Sequence, residues 1–460
     1  MRRLQAPLLV VLLCCCCCLS RANRVYVHPF TLFAAENVSC ETLKNQMSEP
    51  LETLPVSPLD SEVLTPDNRD PSKVNPQNIT ERTAVLAGLL NPLGLRMYLA
   101  LSRKQSSKNT LFSPVNTCES LFSFYLGASN TTASIFLYFL GLSDNDREEC
   151  LSIVDGHKVL GTLQNIHSFG GPEEKITTQV WAFARKDAQL SRDFIQGTQD
   201  FSDSSFIRGV DFSNPQEAET LVNSFVEKTS NGNLKNIFGD LNPSSNILFL
   251  SSFNFQGKWK TAFQPEKTSL QEFYVNATTT VMTPMMSRTG RYHYLNDKLR
   301  RCTVLKLSLS KQAYMLLVLP HEGVNLSDIE TEANLHMNVF SAWHQNLQEG
   351  PLELSLPKFS MSSVNNLNDL LTNMNPEIEA KLLGSEAEFS QLSNITPFSI
   401  DKAVNTVQLD VSEEGAEPQG ETEAAGVPLR LSFNKPFFFS VIEGYNNAIL
   451  LLGKIINPSL

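Results

Sequence analysis

Apolar residues are spread unevenly along the 460 residues. One unbroken apolar run occupies residues 6–19, a long stretch rich in proline and polar residues follows, and regular patterning begins only near residue 81. There, TAVLAGLLNPLGLRMYLAL (83–101) repeats apolar residues at helical spacing, and Pro92 is expected to kink or end that helix early because it has no backbone N–H. SPVNTCESLFSFYLGA (113–128) offers Ser113 as a cap and Pro114 at the first helical position, and TASIFLYFLGL (132–142) predicts a short buried helix. Strands are predicted at TTQVWAFAR (177–185), NILFLSSFNFQGKW (246–259), CTVLKLSLS (302–310) and AYMLLVLP (313–320). KPFFFSVIEGYNNAILLLGKII reads as two apolar strands joined around Gly444 and Asn446-Asn447. Helices early and strands late predict an α+β fold, and no internal repeat is visible.

The first apolar run sits between Met1-Arg2-Arg3 and Ser20-Arg21-Ala22. A positive start, an apolar middle and small residues before a cut form the layout of a secretory signal peptide, residues 1–22, with cleavage between Ala22 and Asn23. The alternative, an uncleaved anchor, is short for a bilayer span, and no later run is expected to reach spanning length. An extracellular, plasma-type location is therefore expected. Removing this segment takes three arginines and no acid from a chain whose formal net charge is already −11, which favours solubility and argues against a nucleic-acid partner. The hydrophobic content of 42% supports a large core, and length alone would suggest two or three domains.

Residues 41–80 contain Pro50, Pro55, Pro58, Pro66, Pro71 and Pro76 among Ser, Asn, Asp and Glu. Such a stretch is expected to bury too little apolar surface to offset its ordering entropy, so residues 23 to about 80 read as an extended, mobile tail. Four cysteines follow the signal segment, Cys40, Cys118, Cys150 and Cys302; they allow three complete pairings, or one bridge with two free thiols. Sequons at Asn37, Asn78, Asn130, Asn276, Asn325 and Asn394 fit an extracellular glycoprotein. No C-x-x-C or H-E-x-x-H supports a metal site, no G-x-S-x-G supports a serine hydrolase, and nothing points to a cofactor. SRKQSSK (102–108) is a small basic cluster that reads as a solvated loop.

The body resembles the serpin family. NTLFSPVN (109–116), VEKTSNGNLKNIF (226–238), LFLSSFNFQGKWKTAF (248–263), MTPMM (282–286), LSLPKFSM (354–361), FNKPFFFSVIE (433–443) and LLGKIINP (451–458) match its motifs in order. The resemblance covers roughly residues 81–460 and implies one domain, with three β-sheets, eight or nine helices and an exposed reactive-type loop. It overrides the division suggested by length. Inhibitory serpins insert that loop, once cut, as a new strand of the main sheet. Here the hinge reads Gly415-Ala416-Glu417-Pro418, and Pro418 has no N–H to give a sheet ladder. The expectation is a non-inhibitory body. The alternative, a serine protease inhibitor, places its bait bond at Leu429-Arg430.

The stretch that would begin the mature chain, NRVYVHPF (23–30), resembles the angiotensin family of vasopressor peptides, and NRVYVHPFTL (23–32) their decapeptide precursor. A plain reading of the same residues is a first edge strand ended by Pro29. The resemblance implies a non-enzymatic hormone precursor. An aspartic protease such as renin would cut at Leu32-Phe33, with Phe30 in a further pocket. A converting dipeptidyl carboxypeptidase would then remove Thr31-Leu32, and a membrane receptor would read Arg24, Tyr26, His28 and Phe30. Thr31 departs from the common histidine at its position. NDREECLSIVDGHKVL (144–159) is similar to the segment of hormone-precursor serpins whose cysteine pairs with the tail, which implies a Cys40–Cys150 bridge and leaves Cys118 and Cys302 as buried thiols.

Overall fold

The computed structural model describes residues 32–35, 51–68, 79–143, 154–168, 174–309, 313–335, 339–417 and 427–460. In chain order the first half forms β1 (Thr53–Pro55), α1 (Ile79–Lys104), β2 (Thr110–Phe112), α2 (Pro114–Gly127), α3 (Asn130–Phe139), α4 (Gly156–His167), β3 (Glu174–Arg185), β4 (Gln189–Ser191), α5 (Arg192–Phe201), β5 (Ser204–Val210) and α6 (Pro215–Thr229). The second half forms β6 (Ile247–Gly257), β7 (Trp259–Thr261), β8 (Ser269–Tyr274), β9 (Thr280–Asp297), β10 (Cys302–Leu309), β11 (Ala313–Pro320), α7 (Leu326–Leu335), α8 (Val339–Asn346), β12 (Gln348–Pro357) and β13 (Phe359–Asn366). It ends with α9 (Leu367–Met374), α10 (Pro376–Leu382), β14 (Ile400–Val411), β15 (Gly415–Glu417), β16 (Leu429–Ser432), β17 (Phe437–Glu443) and β18 (Ile449–Ile455). The α+β class and three sheets are as expected; the described residues hold ten α-helices rather than eight or nine.

Pro92 does not break α1, which runs 26 residues through it. Leu86, Leu90, Leu93, Met97 and Leu101 bury one stripe of the helix in the core, and that burial outweighs the roughly 3 kcal/mol cost of an internal proline. Contrary to the expectation for later runs, α1 is also long and apolar enough to cross a membrane, but 56% of its apolar window is buried in the body, as in a core helix. α2 begins as its sequence predicts: Ser113 Oγ accepts the Asn116 N–H, and Pro114 follows the cap.

The main sheet has the order β13-β14-β6-β3-β5. β3 alternates in the way a two-sided strand must. Val180, Ala182 and Ala184 face the large core, while Trp181 and Phe183 pack with Phe206 of β5 and Phe225 of α6 in a second core. β14 pairs directly and in parallel with β6, from Ile400↔Ile247 to Asp410↔Gln256, so no inserted strand separates them. Beneath this seam Asn116 of α2 donates to Thr406 O and accepts from Ser251 Oγ, and Ser120 donates to Asn405. The second large sheet, of eleven strands, runs along β16-β12-β9-β10-β11-β17-β18-β2, with β7, β8 and β15 attached.

The tail departs from its expected looseness in every part that is described. Residues 51–68 lie along the body. β1 pairs antiparallel with β4, and Arg192 meets Glu52 at 2.9 Å. Gly209 N–H donates to Ser57 O and Leu59 N–H to Gly209 O, so the strap covers the open edge of β5. Arg208, whose side chain is 6% exposed, meets Asp67 at 2.5 Å and also donates to Thr65 O, while Asp67 accepts the Ile207 N–H. The prolines that exclude helix suit an extended strap, and β5 supplies donors and acceptors that local sequence does not reveal.

α4 and α5 are clipped together by His157, whose Nδ1 lies 2.6 Å from Asp200 and whose Nε2 lies 3.7 Å from Asp193. Burial alone would push this imidazole down. The hydrogen bonds to Asp193 and Asp200, with their charges, outweigh it and raise the pKa to about 9. The unfolded chain releases that proton near 6.5, so the clip's contribution is complete below that pH and is lost as pH rises through about 9. Stability should therefore fall by of order 2 kcal/mol across this window in the native protein and by less in His157→Gln, as measured by denaturant midpoints at both ends. Asp67→Ala should cost about 2 kcal/mol, less than a fully enclosed pair because Asp67 keeps some contact with solvent. Amide exchange at Ile207 and Gly209 should quicken in that variant; unchanged exchange would show that the strap does not guard the sheet edge.

Candidate functional site

The apolar pair expected at the cut, Leu32-Phe33, is inside the globule. Leu32 is 8% exposed and Phe33 0%, and both join the main core. Three consecutive carbonyls are held. Leu32 O accepts from Arg82 Nε at 3.2 Å, Phe33 O from the Asp155 N–H at 2.8 Å, and Ala34 O from Lys158 Nζ at 2.9 Å. Ala34 also forms an antiparallel bridge with Val154.

The clamp is built from the start of α4. Asp155 caps that helix by accepting the Lys158 N–H at 3.0 Å, which places its own N–H and the Lys158 side chain toward the tail. Tyr125 of α2 donates to Val154 O at 3.0 Å and fixes the segment from behind. Arg82 enters from the first turn of α1. This overturns the expectation of an exposed, unstructured cleavage segment. The reason is that an aspartic protease and a protein core ask for the same residues. Large apolar side chains that fill enzyme pockets also gain roughly 1.5–3 kcal/mol each by burial. Of the clamp, sequence reasoning quoted Asp155 and Lys158 only within 144–159 and missed Arg82. The Asp-Gly start ahead of an apolar repeat signals the α4 cap, but not its contact with the tail.

Several sequence-based readings lie outside the described residues: Ala22, Asn23, Arg24, Tyr26, His28, Phe30, Thr31, Asn37, Cys40, Asn78, Cys150 and Pro418. Asn130 opens α3. Asn276, Asn325 and Asn394 are exposed. Cys118 and Cys302 are buried and free, and burial pushes the Cys302 thiol up to about 12, so neither offers a thiolate at neutral pH. Among the described residues no cluster of three metal-binding side chains occurs.

The hinge lies off the main sheet. β15 pairs in parallel with β7, and a Cβ at Gly415 would come within 2.3 Å of Ala262 N, so glycine is required by that close approach. Trp259 donates from Nε1 to Ser412 O at 2.7 Å and from its N–H to Glu414 O, while Glu413 is paired with Lys358 at 2.9 Å. Ala416 is exposed. The bait bond of the inhibitor alternative is misplaced. Leu429 and Arg430 belong to β16, in register with Leu352 and Glu353 of β12, and Arg430 Nε meets Glu353 at 2.8 Å. A protease needs an unpaired extended segment, so this bond would first have to be peeled from the sheet.

Residues 89–458 match the serpin (serine protease inhibitor) family. The chain is 30% identical to the angiotensinogen of Bos taurus over 467 residues, covering 96% of this chain and 95% of that one. It is also 30% identical to the angiotensinogen of Ovis aries over 466 residues, with the same coverage. Among solved structures, mouse protein-Z dependent protease inhibitor superposes with a TM-score of 0.73 at 23% identity, over 84% of this chain and 100% of that one, a likeness of fold. The chain therefore belongs to the serpin family and, within it, to the angiotensinogens.

Proposed function

We propose that the protein is a secreted, non-enzymatic precursor from which renin releases residues 23–32 by cutting Leu32-Phe33. The observation that carries this reading is that the hormone-like decapeptide ends at the apolar pair whose carbonyls Arg82 and Asp155 hold, with Lys158 on the next carbonyl, Ala34 O. The similarity to angiotensinogens over nearly the whole chain supports it. The partner carries the catalytic aspartates, and this chain supplies an extended substrate once the segment leaves the body. A converting dipeptidyl carboxypeptidase would then remove Thr31-Leu32, leaving Phe30 with a free carboxylate. A membrane receptor would read Arg24, Tyr26, His28 and Phe30, with Pro29 limiting the entropy lost on binding. Secretion follows from cleavage after Ala22. Glycans at the sequons and a Cys40–Cys150 bridge belong to the same reading.

The body acts as a non-inhibitory scaffold. A clamped segment makes it more than a passive carrier, because the cut requires opening. Freeing Leu32 and Phe33 costs of order 4 kcal/mol in burial and hydrogen bonds, so only about one molecule in a thousand would be open unaided. Renin must either capture that minority or offset the cost by docking.

Incubation with renin from the same species should yield a fragment of residues 23–32 by mass spectrometry; a chain left whole by an active renin would defeat the proposal. Lys158→Met, which removes the donor to Ala34 O, should raise kcat/KM for the cut by roughly tenfold if opening precedes capture, through the loss of one charge-assisted hydrogen bond. Incubation with serine proteases should give no denaturation-resistant complex, visible as the lack of a higher band on a denaturing gel.

A further inference from the structure

Among the described residues, Arg82 is a buried cation without an anion. It is 6% exposed and, among the described residues, makes no ion pair; its hydrogen bond goes to a neutral acceptor, Leu32 O. The adjacent acid, Glu81, is exposed. A buried guanidinium is ordinarily matched by a carboxylate, because its fork of donors and its lost hydration favour a full negative charge. Arg82 also lies in the first turn of a 26-residue helix, where the backbone dipole favours an anion too.

Hydrolysis of Leu32-Phe33 would create that anion in place. The C–N bond breaks, the oxygen of water joins the Leu32 carbonyl carbon, and both protons of that water end on the Phe33 nitrogen. At neutral pH Leu32 ends as a carboxylate and Phe33 as an ammonium. The oxygen that accepts from Arg82 at 3.2 Å becomes half of a carboxylate, and a neutral hydrogen bond becomes a charge-assisted one, roughly twice as strong. The apolar site that takes Leu32 is already formed, since that side chain is 8% exposed.

We propose that Arg82 and the Leu32 site form a receptor for a peptide ending in a free leucine carboxylate, so that the cut body rebinds its own decapeptide product. This rests on the cleavage proposed above. It makes the second trimming step a release step, because removal of Thr31-Leu32 takes away the anchoring side chain and moves the carboxylate two residues from the guanidinium.

The test uses the renin-cut protein. The body is freed of peptide by gel filtration and titrated, by fluorescence anisotropy, with synthetic 23–32 as the free acid, 23–32 as the C-terminal carboxamide, and 23–30. The free acid should bind at least tenfold more tightly than the carboxamide, and 23–30 more weakly than the acid. Arg82→Gln should erase the acid–amide difference while Arg82→Lys keeps most of it, with melting curves confirming that both variants fold. Acid and carboxamide binding alike, or neither binding, overturns the receptor while leaving the cleavage reading intact. Failure of renin to cut overturns the cleavage reading and the receptor with it.

Discussion

The direct pairing of β14 with β6 is the contact on which the rest of this structure depends. It closes the main sheet, and Asn116, Ser120, Ser251 and Asn405 hold it shut from beneath. The same α2 that carries Asn116 and Ser120 carries Glu119, which meets His167 at 2.8 Å at the far end of α4. Both side chains are buried, and one Glu119 oxygen has no partner, so burial raises its pKa even as His167 pulls it down. α4 is thus held to the body at its C-terminal end by His167 and at its start by His157 and the Tyr125–Val154 bond. The processing segment is clamped by the start of that helix. Sheet, helix and tail form a continuous packed path.

The clamp gives the chain a physical character that a free tail would lack. A flexible leash would expose its apolar pair to any endopeptidase. Here the pair is withdrawn into the core; its carbonyls are satisfied by one cation and a backbone N–H, and a second cation holds the carbonyl of Ala34 that follows. On the proposed reading, selectivity comes from two requirements. The enzyme would have to accept Leu and Phe on either side of the bond, and either wait for the rare open form or offset the opening by docking. The first requirement is chemical and local; the second belongs to the whole surface.

The hinge region shows a related economy. β15 stays on β7, tied through Trp259 and the Glu413–Lys358 pair, while the segment after the loop is paired with β12. Both ends of the loop are thereby committed to the second large sheet rather than the first. On the proposed reading the body serves as a scaffold, and the N-terminal segment is the element that must open.

Much of this was legible in the chain. The helical repeats at 83–101 and 113–128, the strands at 177–185, 302–310 and 313–320, and the ordered serpin motifs all follow from neighbours a few residues apart, and local sterics and periodicity decide those. The fold class was readable for that reason, and the family through the resemblance carried by those ordered motifs. Pro92, the strap at 51–68 and the bond Leu429-Arg430 were not, because each depends on what distant residues offer: a core stripe along α1, the open edge of β5, and the free side of β12. The fate of Leu32 and Phe33 is the sharpest case. Their apolar character is written in the sequence, but whether that character faces an enzyme or a core was decided by Arg82 and Lys158, 50 and 124 residues from the carbonyls they hold. Only the folded chain brings those donors to them.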